Sequence, residues 1–214
     1  MKNELMQMLH RYKILHAPAL LSLLCMILVA LKIYQVEQIT YGYLVWNLFL
    51  AWIPLFLGLL LKNKSLNLLS AGILIWWLLF LPNAPYLVTD LIHLKDDHNS
   101  GNWYEALVLF TFAVTGLVNG LVSLNLVRRF LQGHLSKFWS NLAVFAAIPL
   151  AGYGIYLGRV LRWNSWDIVI NPVALLKESL LHLDNFTAQA MTITFSMLLG
   201  VSFLILNQFF EYEK

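Results

Sequence analysis

Apolar residues fill six stretches of this chain, and short polar intervals separate them. The stretches run roughly 15–34, 41–61, 66–82, 103–126, 138–158 and 187–209. A helix needs about 20 mostly apolar residues to cross some 30 Å of hydrocarbon, so each stretch is a candidate span. The third is short if it ends at Pro82. Its alternative course continues, kinked at the prolines, toward Leu94. The pattern predicts an all-α integral membrane bundle of six transmembrane helices. Short amphipathic helices are expected at one end of it. Residues 1–214 form one domain, because no polar interval is long enough to fold alone.

Composition agrees with the pattern. The chain is 60% hydrophobic and 12% charged, with mean hydropathy +0.70. A soluble domain is about a quarter charged, and one of this length keeps much of its surface wet, so a water-soluble fold is excluded. No small-residue cleavage site follows the first apolar run, which reads as a retained anchor. The single cysteine, Cys25, lies inside that run and allows no intramolecular disulfide; it reads as a small buried hydrophobe.

The net charge of +3 is small, and its distribution is more informative. Lys2, Arg11, Lys13, Lys62, Lys64, Arg128, Arg129, Lys137 and Lys214 fall on one side of the six spans. Lys32, Lys95, Arg159, Arg162 and Lys177 fall on the other. The positive-inside rule then puts both termini in the cytoplasm, with the chain in the cell membrane as a multi-pass protein. Most acidic residues, Asp90, Glu105 and Asp167 among them, fall on the extracytoplasmic side.

Two polar blocks lie on that outer side. The first is "LPNAPYLVTDLIHLKDDHNSG", residues 81–101. Pro82 and Pro85 each lack a backbone donor and break the preceding helix. A helix restarting at Pro85 places Tyr86, Asp90, His93 and Asp97 on one face, beside Thr89. Leu87, Leu91 and Leu94 fall on another. Ionisable groups at membrane depth commonly mark a site. Asp90 and His93 suit two metal ligands, or a carboxylate orienting a general base; a solvated polar face is the plain alternative. Asp96, Asp97 and His98 read as solvated. Glu105 lies near the outer end of its span, within reach of Asp90 and His93, and is a third catalytic candidate.

The second block is "GRVLRWNSWDIVINP", residues 158–172. Arg159 and Arg162 sit one turn apart, with lipid-headgroup contact as their plain reading. A sharper reading turns one arginine inward to pair with Asp90, Asp167 or Glu105, since its planar fork suits carboxylate and phosphate. Trp163 and Trp166 suit the aromatic belt. Asn164 or Ser165 is a candidate cap for a helix carrying Asp167 in its first turn, and Asn171-Pro172 starts an amphipathic surface helix. Elsewhere, Gly116/Gly120 and Gly154/Gly158 permit close helix contact, while Thr115, Asn119 and Ser123 form a polar stripe, with Asn47 near the start of the second span, suited to interhelical hydrogen bonds. Thr192, Ser196 and Gly200 form another.

"LPNAPYLVTDLIHL", "WYEALVLFTFAVTGL" and "GRVLRWNSWD" resemble the hallmark segments of the domain-of-unknown-function 1361 family, bacterial membrane proteins of about this length. The resemblance covers essentially the whole chain. It implies a multi-helix membrane protein with no inherited mechanism. The family pattern maps onto Asn83, Pro85, Tyr86, Asp90, His93, Arg159, Arg162, Asn164 and Asp167. The polar spacing points to the same positions.

Several activities are excluded by missing motifs: His-Glu-x-x-His, a Glu-Glu pair, a Pro-Ser-Gly-His core and a phosphate-cradling Gly-rich loop. The few basic residues give no support to nucleic-acid binding. The leading reading is an outer polar site for a lipid headgroup, which an anionic lipid would fit, or for a partner. In it Asn83, Tyr86, Arg159, Arg162, Asn164 and Asp167 bind the ligand. The second is an enzyme acting on a lipid or lipid-linked substrate, in which Asp90, His93 and Glu105 catalyse. A small transporter is the third. Its polar groups would span the full membrane depth, whereas here they cluster at one end. Metal, cofactor and oligomeric state are not readable from the sequence.

Overall fold

The structure, a computed structural model, describes residues 2–36, 41–95 and 103–212. Asp96, Asp97 and His98 lie outside the described residues. The described elements are helical throughout. They are α1 (Lys2–Val36), α2 (Gly42–Leu60), α3 (Leu68–Phe80), α4 (Asn83–Tyr86), a 3₁₀ segment (Leu87–Lys95), α5 (Trp103–Gln132), α6 (Lys137–Arg159), α7 (Asp167–Ile170), α8 (Pro172–Leu181) and α9 (Phe186–Tyr212). Six candidate spans result: Ile14–Tyr34, Gly42–Leu60, Leu68–Leu94, Trp103–Gln132, Lys137–Arg159 and Phe186–Gln208. The protein is a multi-pass helical bundle whose apolar helices suit a lipid bilayer.

The third span takes the longer, kinked course. Asn67 opens α3 by accepting from the Ser70 N–H at 3.0 Å, while the Ser70 hydroxyl takes the Asn67 N–H at 2.8 Å. Thirteen α-helical residues rise only about 20 Å, so α3 alone falls short of the hydrocarbon thickness. After Pro82 the chain makes one tight turn of helix and then a 3₁₀ run.

That 3₁₀ run changes which side chains share a face. With about three residues per turn, positions i, i+3 and i+6 align. Leu87, Asp90 and His93 therefore point the same way, with Leu87 and Asp90 fully buried. The α periodicity, which separates Leu87 from Asp90 and groups Leu87 with Leu91 and Leu94, does not hold here. Pro82 and Pro85 have no N–H to give and break the helical ladder just upstream of this run.

α5 is the central post, touching α1, α2, α4, the 3₁₀ segment, α6 and α9. Its Thr111, Thr115, Asn119, Ser123 and Asn125 are buried, while Leu23, Ile75, Phe110 and Met197 on the bundle surface are exposed. This arrangement suits a lipid solvent, which removes the reason to hide apolar surface. The stripe on α5 bonds mainly to its own helix. Thr115 donates to the Thr111 carbonyl at 2.7 Å and Ser123 to that of Gly120 at 2.8 Å. Thr192 and Ser196 likewise donate one turn back within α9. Cross-helix contacts are fewer than the polar stripe suggests: Cys25 Sγ lies 3.2 Å from Thr115 Oγ1, and Trp77 Nε1 donates to Ser123 Oγ at 3.4 Å.

The two glycine pairs clasp the broken segment. A Cβ on Gly116 would run into the Ala84 carbonyl and Leu87, and one on Gly154 into Pro82. On Gly120 it would lie 3.3 Å from Ala84 Cβ, and on Gly158 3.4 Å from the Tyr86 ring. Residues 82–87 are thus wedged between α5 and α6, which fixes the position of everything that follows them.

Candidate functional site

The wedge delivers Asp90 to the end of α6. Asp90 is 1% exposed, and its Oδ1 accepts from Arg159 Nη1 at 3.1 Å. Asn47 Nδ2, from α2, donates to Oδ2 at 3.1 Å. A buried carboxylate needs such partners, because desolvation without them is costly. The second nitrogen of the same guanidinium, Nη2, lies 3.2 Å from His93 Nε2. A guanidinium has no acceptor, so His93 Nε2 is the acceptor and its proton resides on Nδ1. The Arg159 guanidinium also lies 5.8 Å from the Tyr86 ring centroid, a cation–π contact. Tyr43 meets His93 edge-on, with centroids 5.7 Å apart.

Arg159 therefore bridges Asp90 and His93. Among the described residues, no three of His, Cys, Asp and Glu gather as a metal site.

Beside this network lies a cavity of about 760 Å³. Leu50, Leu78, Leu79, Leu150 and Leu157 give it an apolar wall. Asn83, Tyr86, His93, Arg159, Arg162 and Asn164 line its polar part, with Ser165 beside them. Asp90 backs this wall through Arg159. Asp167 stands behind Asn164, and its Oδ2 accepts from the Asn164 N–H at 2.7 Å. Glu105 is engaged elsewhere, accepting from the Tyr41 hydroxyl at 2.7 Å.

Arg162 differs from Arg159. α6 ends at Arg159, and the chain turns so that the Trp163 N–H reaches the Leu157 carbonyl at 3.0 Å. Arg162 sits in that turn at φ 62°. Glycine or asparagine normally takes this left-handed position, which costs other residues about 1–2 kcal/mol. Among the described residues Arg162 has no hydrogen-bonding or ionic partner. Arg162 is thus an exposed guanidinium on the cavity wall, carried by a strained backbone position.

Neither Asn164 nor Ser165 caps α7 with its side chain. Asn164 donates to Asp167, and Ser165 Oγ accepts from Asn83 Nδ2 at 2.8 Å, joining the two polar blocks. Asn171 does precede α8, with Pro172 in its first turn. α8 is pinned to the end of α6 by three contacts. Tyr156 Oη lies 2.7 Å from His182 Nδ1, Trp163 Nε1 donates to Glu178 Oε2 at 2.7 Å, and the Tyr153 hydroxyl donates to the Ser179 carbonyl. Trp163 thus serves the cavity wall and the α8 anchor rather than an aromatic belt alone.

The family model described as protein of unknown function (DUF1361) matches residues 46–206, a range containing both polar blocks and the whole cavity wall. The chain belongs to this family. Comparison with curated proteins and with solved structures returns no match. What DUF1361 contributes is thus membership without an assigned activity, and the chemistry must come from the cavity itself. Sequence reasoning missed Tyr43, which meets His93, and Tyr153 on the cavity wall. Asn47 carried one usable signal, being an amide inside an otherwise apolar span.

Proposed function

We propose that this DUF1361 protein holds the phosphate-bearing headgroup of a membrane lipid in the cavity beside Arg159, with the mouth on the extracytoplasmic side. The orientation rests on the charge bias: nine basic residues on the opposite side against five on this one. Arg162 carries the ligand reading, as a cation on the cavity wall without a partner among the described residues. Arginine suits phosphate because its fork offers paired donors. The leucine wall opposite gives an attached chain an apolar surface. A cavity of about 760 Å³ lies within the roughly 300–1,000 Å³ usual for small-molecule sites.

The catalytic reading has less support. The Nε2 lone pair of His93 is taken by Arg159, Asp90 is taken by Arg159 and Asn47, and Glu105 bonds Tyr41. Each group proposed to move a proton already has a structural partner. These residues act as a frame that stiffens one wall of the cavity.

Native mass spectrometry of protein released from lipid nanodiscs tests the proposal. Wild type is expected to retain a phospholipid. Arg162→Ala should bind it about tenfold or more weakly, since a charge-assisted bond contributes about 1.5–3 kcal/mol. Arg129→Ala, at the other end of the bundle, should retain it. Equal retention by both variants would remove the proposal.

A further inference from the structure

We infer that the bound headgroup carries neutral hydroxyls beside its phosphate, which makes the ligand a polyol phosphodiester lipid of the phosphatidylglycerol type. The inference rests on the lipid-headgroup reading above and adds to it what the rest of the headgroup must offer. Three amides line the cavity: Asn47, Asn83 and Asn164. Each has its nitrogen committed to the protein. Asn83 Nδ2 donates to the Phe80 carbonyl at 3.0 Å and to Ser165 Oγ at 2.8 Å. Asn47 Nδ2 donates to Asp90 Oδ2 at 3.1 Å, and Asn164 Nδ2 to Asp167 Oδ2 at 3.3 Å.

A carbonyl or a carboxylate can only accept, so each amide must turn its nitrogen toward that partner and its oxygen away from it. Among the described residues none of the three amide oxygens has a hydrogen-bond partner. The cavity wall therefore carries three acceptors in want of donors. Among the described residues no Asp or Glu lines the cavity, and its permanently charged lining is Arg159 and Arg162. The wall is thus cationic at one place and neutral but acceptor-rich elsewhere.

Phosphate oxygens suit Arg162, but against the amide oxygens they would set acceptor against acceptor. An ammonium would supply donors, yet it would face two guanidiniums on a wall without a carboxylate. A neutral hydroxyl supplies the donor without the charge. A hydroxyl also accepts, and Ser165 Oγ, which takes the Asn83 N–H, keeps its own proton to give. A polyol esterified to the phosphate brings several hydroxyls to this wall while the phosphate stays at Arg162.

The test is competitive retention of phosphatidylglycerol, phosphatidylmethanol and phosphatidylethanolamine with identical chains, presented equally in nanodiscs and read by native mass spectrometry. The first two have the same net charge, and only phosphatidylglycerol bears free hydroxyls. Wild type should favour it over phosphatidylmethanol about fivefold or more. Asn164→Ala keeps the backbone N–H that reaches Asp167 and removes one amide oxygen. It should lower that preference about threefold while retaining phosphatidylmethanol as wild type does, which also reports an intact cavity. Asn83→Ala should lower the preference by a similar factor. Equal retention of the two lipids by wild type, or a preference unmoved in both variants, would overturn the inference. If Arg162→Ala still weakened retention of both lipids in that case, the phosphate reading would survive alone. Retention insensitive to Arg162 would remove both. Preference of the wild type for phosphatidylethanolamine over phosphatidylglycerol would assign the amide oxygens to a cation and also overturn the inference.

Discussion

Alanine at Asp90 removes the keystone of the buried network, and its cost can be worked from the contacts. The carboxylate is 1% exposed and takes 3.1 Å bonds from Arg159 and Asn47. A bond to a charged partner contributes about 1.5–3 kcal/mol and a neutral one about 1 kcal/mol, so Asp90→Ala should cost roughly 3–4 kcal/mol. That agrees with the approximately 3–5 kcal/mol observed when one member of a buried ion pair is removed. Arg159→Ala should cost about as much, because it also strips His93 and Tyr86 of their contacts. The double variant loses the shared pair only once. Its cost should therefore fall short of the sum by about 1.5–3 kcal/mol. The assay is equilibrium unfolding in mixed micelles, followed by tryptophan fluorescence, with the three variants compared under one condition. Costs that add to within about 0.5 kcal/mol would refute the reasoning, since that is how independent sites behave.

Two further predictions concern the frame. Gly116→Ala pushes a methyl into the Ala84 carbonyl and Leu87 and should destabilise by about 3 kcal/mol, whereas Gly72→Ala meets nothing within 4 Å and should gain about 0.5–1 kcal/mol. The same unfolding assay checks both, and near-equal values would contradict the wedge. Tyr156→Phe deletes the hydroxyl facing His182, so amide exchange across α8 should quicken by roughly fivefold while α6 stays protected. Unchanged exchange in α8 would mean that this tether does not hold it.

The six spans were legible because hydrocarbon sets a length that composition alone can reveal. The pairing of Arg159 with Asp90 was legible as one of several options, since a charge at membrane depth needs a partner. The face of residues 87–95 was not, because it depends on a 3₁₀ period that local hydropathy does not announce. The partner of Asn47 was hidden for a related reason. One amide in an apolar run has no spacing to interpret, and only the packing of α2 against the 3₁₀ segment gives it Asp90 as a partner. The φ of Arg162 was equally hidden, as nothing about an arginine signals a left-handed turn.

The glycine clasp around residues 82–87 also sets an order of assembly. α3 is too short to bridge the membrane, and the continuation that completes the crossing carries the charge of Asp90 into the bundle. The surfaces that receive this continuation are Gly116 and Gly120 of α5 and Gly154 and Gly158 of α6, and the neutralising Arg159 comes at the end of α6. All of them are synthesised later. The third crossing therefore has no complete seat until α5 and α6 exist, and the cavity closes only with the lining that follows them, as far as Leu175.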